Sequence, residues 1–160
     1  MRQRVKSVFR VLAVVTAFSG LLSTSWAASL SATLQGSWSG SGRITLTNGK
    51  SERIRCHGSG RQVTQNSIEQ QFHCASTEKE FDFSTSIQFS GSTARGHWSA
   101  PDKSGTLSGQ ASTSHMQLHL SSASGSGTLS ATIGACSQSL TVTGWSNKLK
   151  SLSVNLKKDC

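Results

Sequence analysis

The chain has no tyrosine, one proline (Pro101) and seven acidic residues in 160. Each shortage excludes something. Arg43, Arg53, Arg55 and Arg61 could meet phosphates, but without tyrosine, and with the phenylalanines on core positions, there is no base-stacking platform. No nucleic-acid partner is expected. Neither Gly-x-Ser-x-Gly nor Gly-x-Gly-x-x-Gly occurs: Trp38 is the centre of Gly36–Gly40, and Val63 stands where a third glycine would follow Gly58 and Gly60. That removes the nucleophile elbow and the dinucleotide fingerprint.

Metal and carboxylate chemistry are equally thin. No Cys-x-x-Cys spacing is present, so structural zinc is not expected. His115 and His119 share a strand face but stand about 13 Å apart along it, too far for one ion. The short acidic run Glu78, Glu80, Asp82 reads as solvated charge at a strand entry, not as a glycosidase pair. The sequence therefore predicts no catalytic residue, no metal and no cofactor.

What is present begins with an export signal. Arg2, Arg4, Lys6 and Arg10 precede an apolar run, Val11–Leu22, and Ser25-Trp26-Ala27 has the small-x-small form of a cleavage site. The apolar run is short for a permanent membrane span. Residues 1–27 are read as a signal peptide and 28–160 as a single β domain of about 133 residues, enough for one core. Loss of the signal lowers the formal charge from +9 to about +5, a balance that suits a soluble exported protein. The expected location is periplasmic or secreted, with no membrane span after cleavage.

Beyond Ala28 no long segment carries a helical period. Short runs alternate apolar with polar residues between Ser, Gly and Asn reversals, the pattern of half-buried antiparallel strands. Phe81, Phe83, Thr85, Ile87 and Phe89 keep one parity through a long core strand. Met116, Leu118 and Leu120, then Leu129, Ala131 and Ile133, then Leu140 and Val142, and finally Leu152, Val154 and Leu156 do the same. Leu34–Ser39 and Arg43–Thr47 read as separate strands ahead of the Asn48-Gly49 reversal. Setting Ile44 opposite Ile54 requires a three-residue or bulged loop there. Nine or ten such strands predict an all-β, small antiparallel meander closing into a barrel, with a β-sandwich as the alternative. Outer-membrane barrel strands would be longer and flanked by aromatic girdles.

Four cysteines, Cys56, Cys74, Cys136 and Cys160, follow the signal and allow three pairings. A hairpin centred on Gln65 sets Cys56 opposite Cys74, where a cross-strand bond fits. The favoured set is Cys56–Cys74 with Cys136–Cys160, the pairs closing short loops, each worth roughly 3 kcal/mol by loop entropy. The same hairpin makes His57 face His73, which would need a third ligand from elsewhere to hold an ion. Its polar side, Arg53, Arg55, His57, Gln71 and His73, is the predicted partner face. Trp38, Trp98 and Trp145 each follow a glycine at one or two residues and precede serine, so they either fill the barrel ends or line a ligand cavity.

Gly36-x-Trp38-Ser39-Gly40, the Ile44–Gly49 hairpin, Glu52-Arg53-Ile54-Arg55-Cys56, Cys74-Ala75-Ser76 with Phe81, and Gly96-x-Trp98-Ser99 resemble a family of small signal-bearing proteins of rhizobia and related alphaproteobacteria. That family has no assigned activity, so the resemblance implies no functional residue. Gly58-Ser59-Gly60 stands where its members often carry an aromatic. At the level of fold alone the chain is similar to avidin-type barrels and to bacterial barrel inhibitors of secreted metalloproteases, which also open with a Gly-x-Trp strand. Together these features predict an exported, non-enzymatic barrel that binds a ligand or protein of the cell envelope. Inhibition of a secreted protease through a segment near Ala28–Thr33 is the alternative, and hydrolysis through Glu80 or Asp82 a remoter one.

Overall fold

The structure, a computed structural model, describes residues 29–145 and 148–160. The signal-peptide reading of residues 1–27 lies outside the described residues. A short helix, α1 (Leu30–Leu34), leads into ten strands: β1 (Gly36–Leu46), β2 (Ser51–Thr64), β3 (Ser67–Ala75), β4 (Glu80–Ser90) and β5 (Thr93–Ala100), then β6 (Lys103–Ala111), β7 (His115–Ser122), β8 (Gly125–Ile133), β9 (Ser137–Thr143) and β10 (Leu149–Lys157). Each pairs antiparallel with its chain neighbour, and β10 returns to pair with β1, so the meander closes into a barrel. Following the ladders once around the barrel returns to β1 offset by about 12 residues, a shear that tilts ten strands by roughly 40°.

Inward parity holds along the strands, because only one face of each can reach the core. The predicted apolar sets of β4, β7, β8, β9 and β10 all point inside. Two buried groups of side chains form. One, around Leu34, Ile68, Ile87, Trp98, Leu107 and Leu118, spans β3 to β9; the other gathers Trp38, Ile54, Cys56, Cys74, Val154 and Leu156. Val63, beside the β2–β3 bulge, is the one large apolar side chain exposed among the described residues, at 49%.

The first hairpins show both agreement and correction. Cys56 lies opposite Cys74 and His57 opposite His73, as the Gln65 centre required. Both disulfides form in the favoured pairing, Cys56–Cys74 and Cys136–Cys160. They suit an oxidising, non-cytoplasmic compartment. The first loop has three residues, closed by Leu46 N–H to Lys50 O at 2.8 Å and Gly49 N–H to Leu46 O at 3.0 Å, with Gly49 at φ +85°. Its position differs from expectation: Ile44 faces Glu52, not Ile54. The loop closes on Leu46 and Lys50, so the register slips by two residues, parity is kept and Glu52 stays on the inward face with Ile54 and Cys56.

Leu34–Ser39 and Arg43–Thr47 are not two strands. Leu34 ends α1, and Gly36–Leu46 runs unbroken. Glycine allows this, because a Cβ at Gly40 or Gly42 would stand 1.9 Å from the carbonyl oxygen of Asn155 or Ser153 on β10. Trp38 is consequently the third residue of one continuous strand.

Candidate functional site

The two ends of the barrel differ. At one end α1 lies across the opening. Ser29 caps it, accepting from Ala32 N–H at 3.3 Å. Five residues are too few to hold a helix by themselves, and tertiary bonds fix this one. Ser31, fully buried, donates to Gln65 O at 2.6 Å and accepts from Gln62 Nε2 at 3.0 Å. Lys158 Nζ donates to Thr33 O at 2.6 Å and Gln35 O at 2.9 Å, and lies 4.9 Å from the centre of the Trp38 ring. Trp38 Nε1 donates to Leu34 O at 2.9 Å. Leu34 is completely buried, its carbonyl lying over Gly60, where a Cβ would come within 2.2 Å of the oxygen. Cys136–Cys160 ties the C-terminus to the β8–β9 turn at the same end. This end is sealed.

Among the described residues the opposite end is open. A cavity of about 310 Å³ is lined by Ile44, Leu46, Phe81, Trp145, Leu149 and Leu152, with Lys79, Lys103, Lys148, Asp82 and Asp102 among the charged residues at its margin. Below it, between the two buried groups, lies a narrow space of about 50 Å³ walled by apolar side chains and the Cys56–Cys74 pair. Phe81, Trp145 and Leu152 line both. An apolar entrance with a few convergent polar groups is the ordinary form of a small-molecule site.

Deeper in the wall, polar side chains also face inward. Gln70, Thr85 and Trp98 are successive ladder neighbours on β3, β4 and β5. Their Nε2, Oγ1 and Nε1 atoms are buried without a protein hydrogen-bond partner. An unmet buried donor costs about 1–3 kcal/mol, so this row is a place where a polar atom would be stabilised. Trp98 packs against Trp145 with ring centres 4.9 Å apart, and Phe83 stands 4.8 Å from Trp145, so the row adjoins the cavity wall. Near the entrance the buried Glu52 accepts from Ser76 Oγ at 2.8 Å and lies 3.6 Å from Lys50 Nζ. Lys50 also grips Glu78 at 2.7 Å, which holds the Glu78 carboxyl below its usual range, first through the hydrogen bond and then through its charge. These contacts join the β1–β2 and β3–β4 loops at the open end.

The three tryptophans therefore take different places. Trp38 is packed at the sealed end and Trp98 in the core, while Trp145, half-buried, lines the cavity. On the outside, His57, Gln71 and His73 share an open groove with Ser59, Asp82 and Ser84. Arg53 and Arg55 share the outward face of β2 with His57 but do not line this groove, Arg53 standing opposite Arg43 and Arg55 opposite Ser41 and Ala75. His115 and His119 are exposed on β7. Glu52, Gln70 and Gln138 are inward polar residues that composition hid. Parity would have found them, since Gln70 alternates with Ile68 and Phe72, and Glu52 with Ile54 and Cys56.

No family model matches the chain, and no curated protein matches it. Among solved structures it is similar to a designed protein described as "De novo design of a fluorescence-activating beta barrel", at 16% identity and a TM-score of 0.42. The match covers 83% of this chain and 100% of that one. A likeness of that degree carries no argument about ligand or activity.

Proposed function

We propose that the protein is an exported, non-enzymatic barrel that binds an amphiphile through its open end, the apolar part entering between Phe81, Trp145 and Leu152 and the polar head staying at the rim. The observation that carries this reading is the difference between the ends. One is closed by a helix held with specific hydrogen bonds, the other opens into an apolar cavity of about 310 Å³. Three lysines and two aspartates at the margin favour a head that is anionic or polar over one that is cationic. The row of Gln70, Thr85 and Trp98 would receive a ligand oxygen that reached it.

The two disulfides and the N-terminal signal read from the sequence support a periplasmic or secreted location. No helix among the described residues is long and apolar enough to cross a membrane. The strands themselves point Ser, Thr, His, Arg and Glu outward, which a lipid-facing band would not tolerate. Protease inhibition through the N-terminal segment is disfavoured, because Ser31 and Leu34 are buried in the seal and would have to leave it to reach a cleft.

The test is displacement of the fluorescent apolar probe N-phenyl-1-naphthylamine. Probe fluorescence should rise on binding and fall on titration with alkyl carboxylates, and Trp145→Ala should weaken probe binding by about tenfold, the loss of a large aromatic contact. Absence of binding, or binding untouched by Trp145→Ala and Leu152→Ala, would sink the reading.

A further inference from the structure

We propose that His57, His73 and Glu80 form a surface site for one divalent transition-metal ion, with Asp82 positioning His73. The site lies on the outer wall and is independent of the cavity at the open end. His57 on β2, His73 on β3 and Asp82 on β4 are successive ladder partners, and Glu80 is the next outward residue on β4. The imidazole rings of His57 and His73 have centres 5.1 Å apart. Two imidazoles sharing one tetrahedral ion at metal–nitrogen distances of about 2.0–2.1 Å place their ring centres about 5 Å apart. His73 Nε2 stands 3.7 Å from Glu80 Oε2, against about 3.4 Å for a tetrahedral ligand edge.

The other nitrogen of His73 is already engaged. Nδ1 lies 2.9 Å from Asp82 Oδ1, where its N–H can donate to the carboxylate, and in the neutral ring that leaves Nε2 to bind an ion. A carboxylate behind a ligating histidine fixes the tautomer and ring orientation. As the side chains stand, no three His, Cys, Asp or Glu groups among the described residues converge on a common point. Glu80 is 76% exposed, however, so a side-chain rotation can bring its carboxylate towards His73 Nε2. The histidine backbones have less freedom, because Cys56–Cys74 bonds the same two strands on the adjacent rung.

Two imidazoles and one carboxylate suit zinc, cobalt, nickel or copper and not calcium or magnesium. Three protein ligands leave a fourth position, open to the surface, for water or a donor atom from a partner.

The test is titration of the full, disulfide-bonded, untagged chain with Zn²⁺ by calorimetry and with Co²⁺ by visible absorption. One equivalent should bind saturably, Co²⁺ should give the intense bands of tetrahedral coordination, and Ca²⁺ should not compete. His57→Ala and His73→Ala should each abolish saturable binding. Asp82→Asn should weaken it about 10-fold or more, as loss of the positioning carboxylate does in such sites. His115→Ala with His119→Ala should leave it unchanged. Absence of saturable binding overturns the proposal, and so does binding that survives His57→Ala and His73→Ala or that vanishes with His115 and His119. Far-UV circular dichroism checks that each variant keeps the barrel.

Discussion

Replacing Leu34 by alanine probes the seal. Leu34 is 0% exposed, is the last residue of α1 and packs into the larger of the two buried groups, with Ile68. Truncating a buried leucine costs about 2–5 kcal/mol, the spread reflecting how far the site collapses. A five-residue helix at the barrel end can settle inward, so the lower half applies, about 2–3 kcal/mol. The Trp38 Nε1 bond is to the Leu34 carbonyl and survives the change, so the loss is one of packing. In a single domain of this size that corresponds to a Tm lower by roughly 6–12 °C. Urea unfolding with an unchanged m-value measures it, with Val63→Ala as a control expected within about 0.5 kcal/mol. A Leu34→Ala variant as silent as Val63→Ala would refute the view that α1 is a packed closure.

Other outcomes follow from the same geometry. Gly42→Ala should disrupt β1–β10 pairing, because its Cβ would stand 1.9 Å from Ser153 O; hydrogen exchange at β10 amides should accelerate, and unchanged protection would contradict the close approach. Replacing Cys56 and Cys74 together by alanine should lower stability by roughly 3 kcal/mol, whereas a variant that melts with the parent would show that the cross-link adds nothing to the hairpin. The Glu78 carboxyl is held low by Lys50, so their contact stabilises above the ordinary carboxylate range and is lost as pH falls through the lowered value. Stability should therefore decline on acidification, and Glu78→Gln should flatten that part of the profile; an unaltered profile counts against the contact.

Much of the architecture was legible because parity is a strong signal when one face of every strand is buried. Phe81 to Phe89 and Met116 to Leu120 required no tertiary information, and the Gln65 centre fixed Cys56 against Cys74. The failures are local. β1 was divided because its glycines interrupt apolar alternation, yet those glycines are what let it lie against β10. The register of the first hairpin differs by two residues because parity is blind to slips of two. α1 was missed because five residues carry no period, and its bonds come from Gln62, Gln65 and Lys158, distant in sequence.

The candidate site was harder to read than the fold. Tryptophan marked the region, but which of the three would line a cavity depends on which end α1 closes. Trp38 sits at the closed end and Trp145 at the open one, a distinction set by contacts from both termini. The outer His57–His73 pair followed from register, whereas the meeting with Asp82 depended on the β3–β4 register across a four-residue turn.

The most direct measurement is a map of backbone amide shifts by NMR as lauric acid, a twelve-carbon alkyl carboxylate, is titrated into the full disulfide-bonded chain. Binding at the open end should perturb Phe81, Trp145, Leu149 and Leu152 together with the Lys79 and Lys103 loops, and leave Ser31, Leu34 and Gln65 unmoved. Perturbations centred on α1, or none at all, would contradict the account.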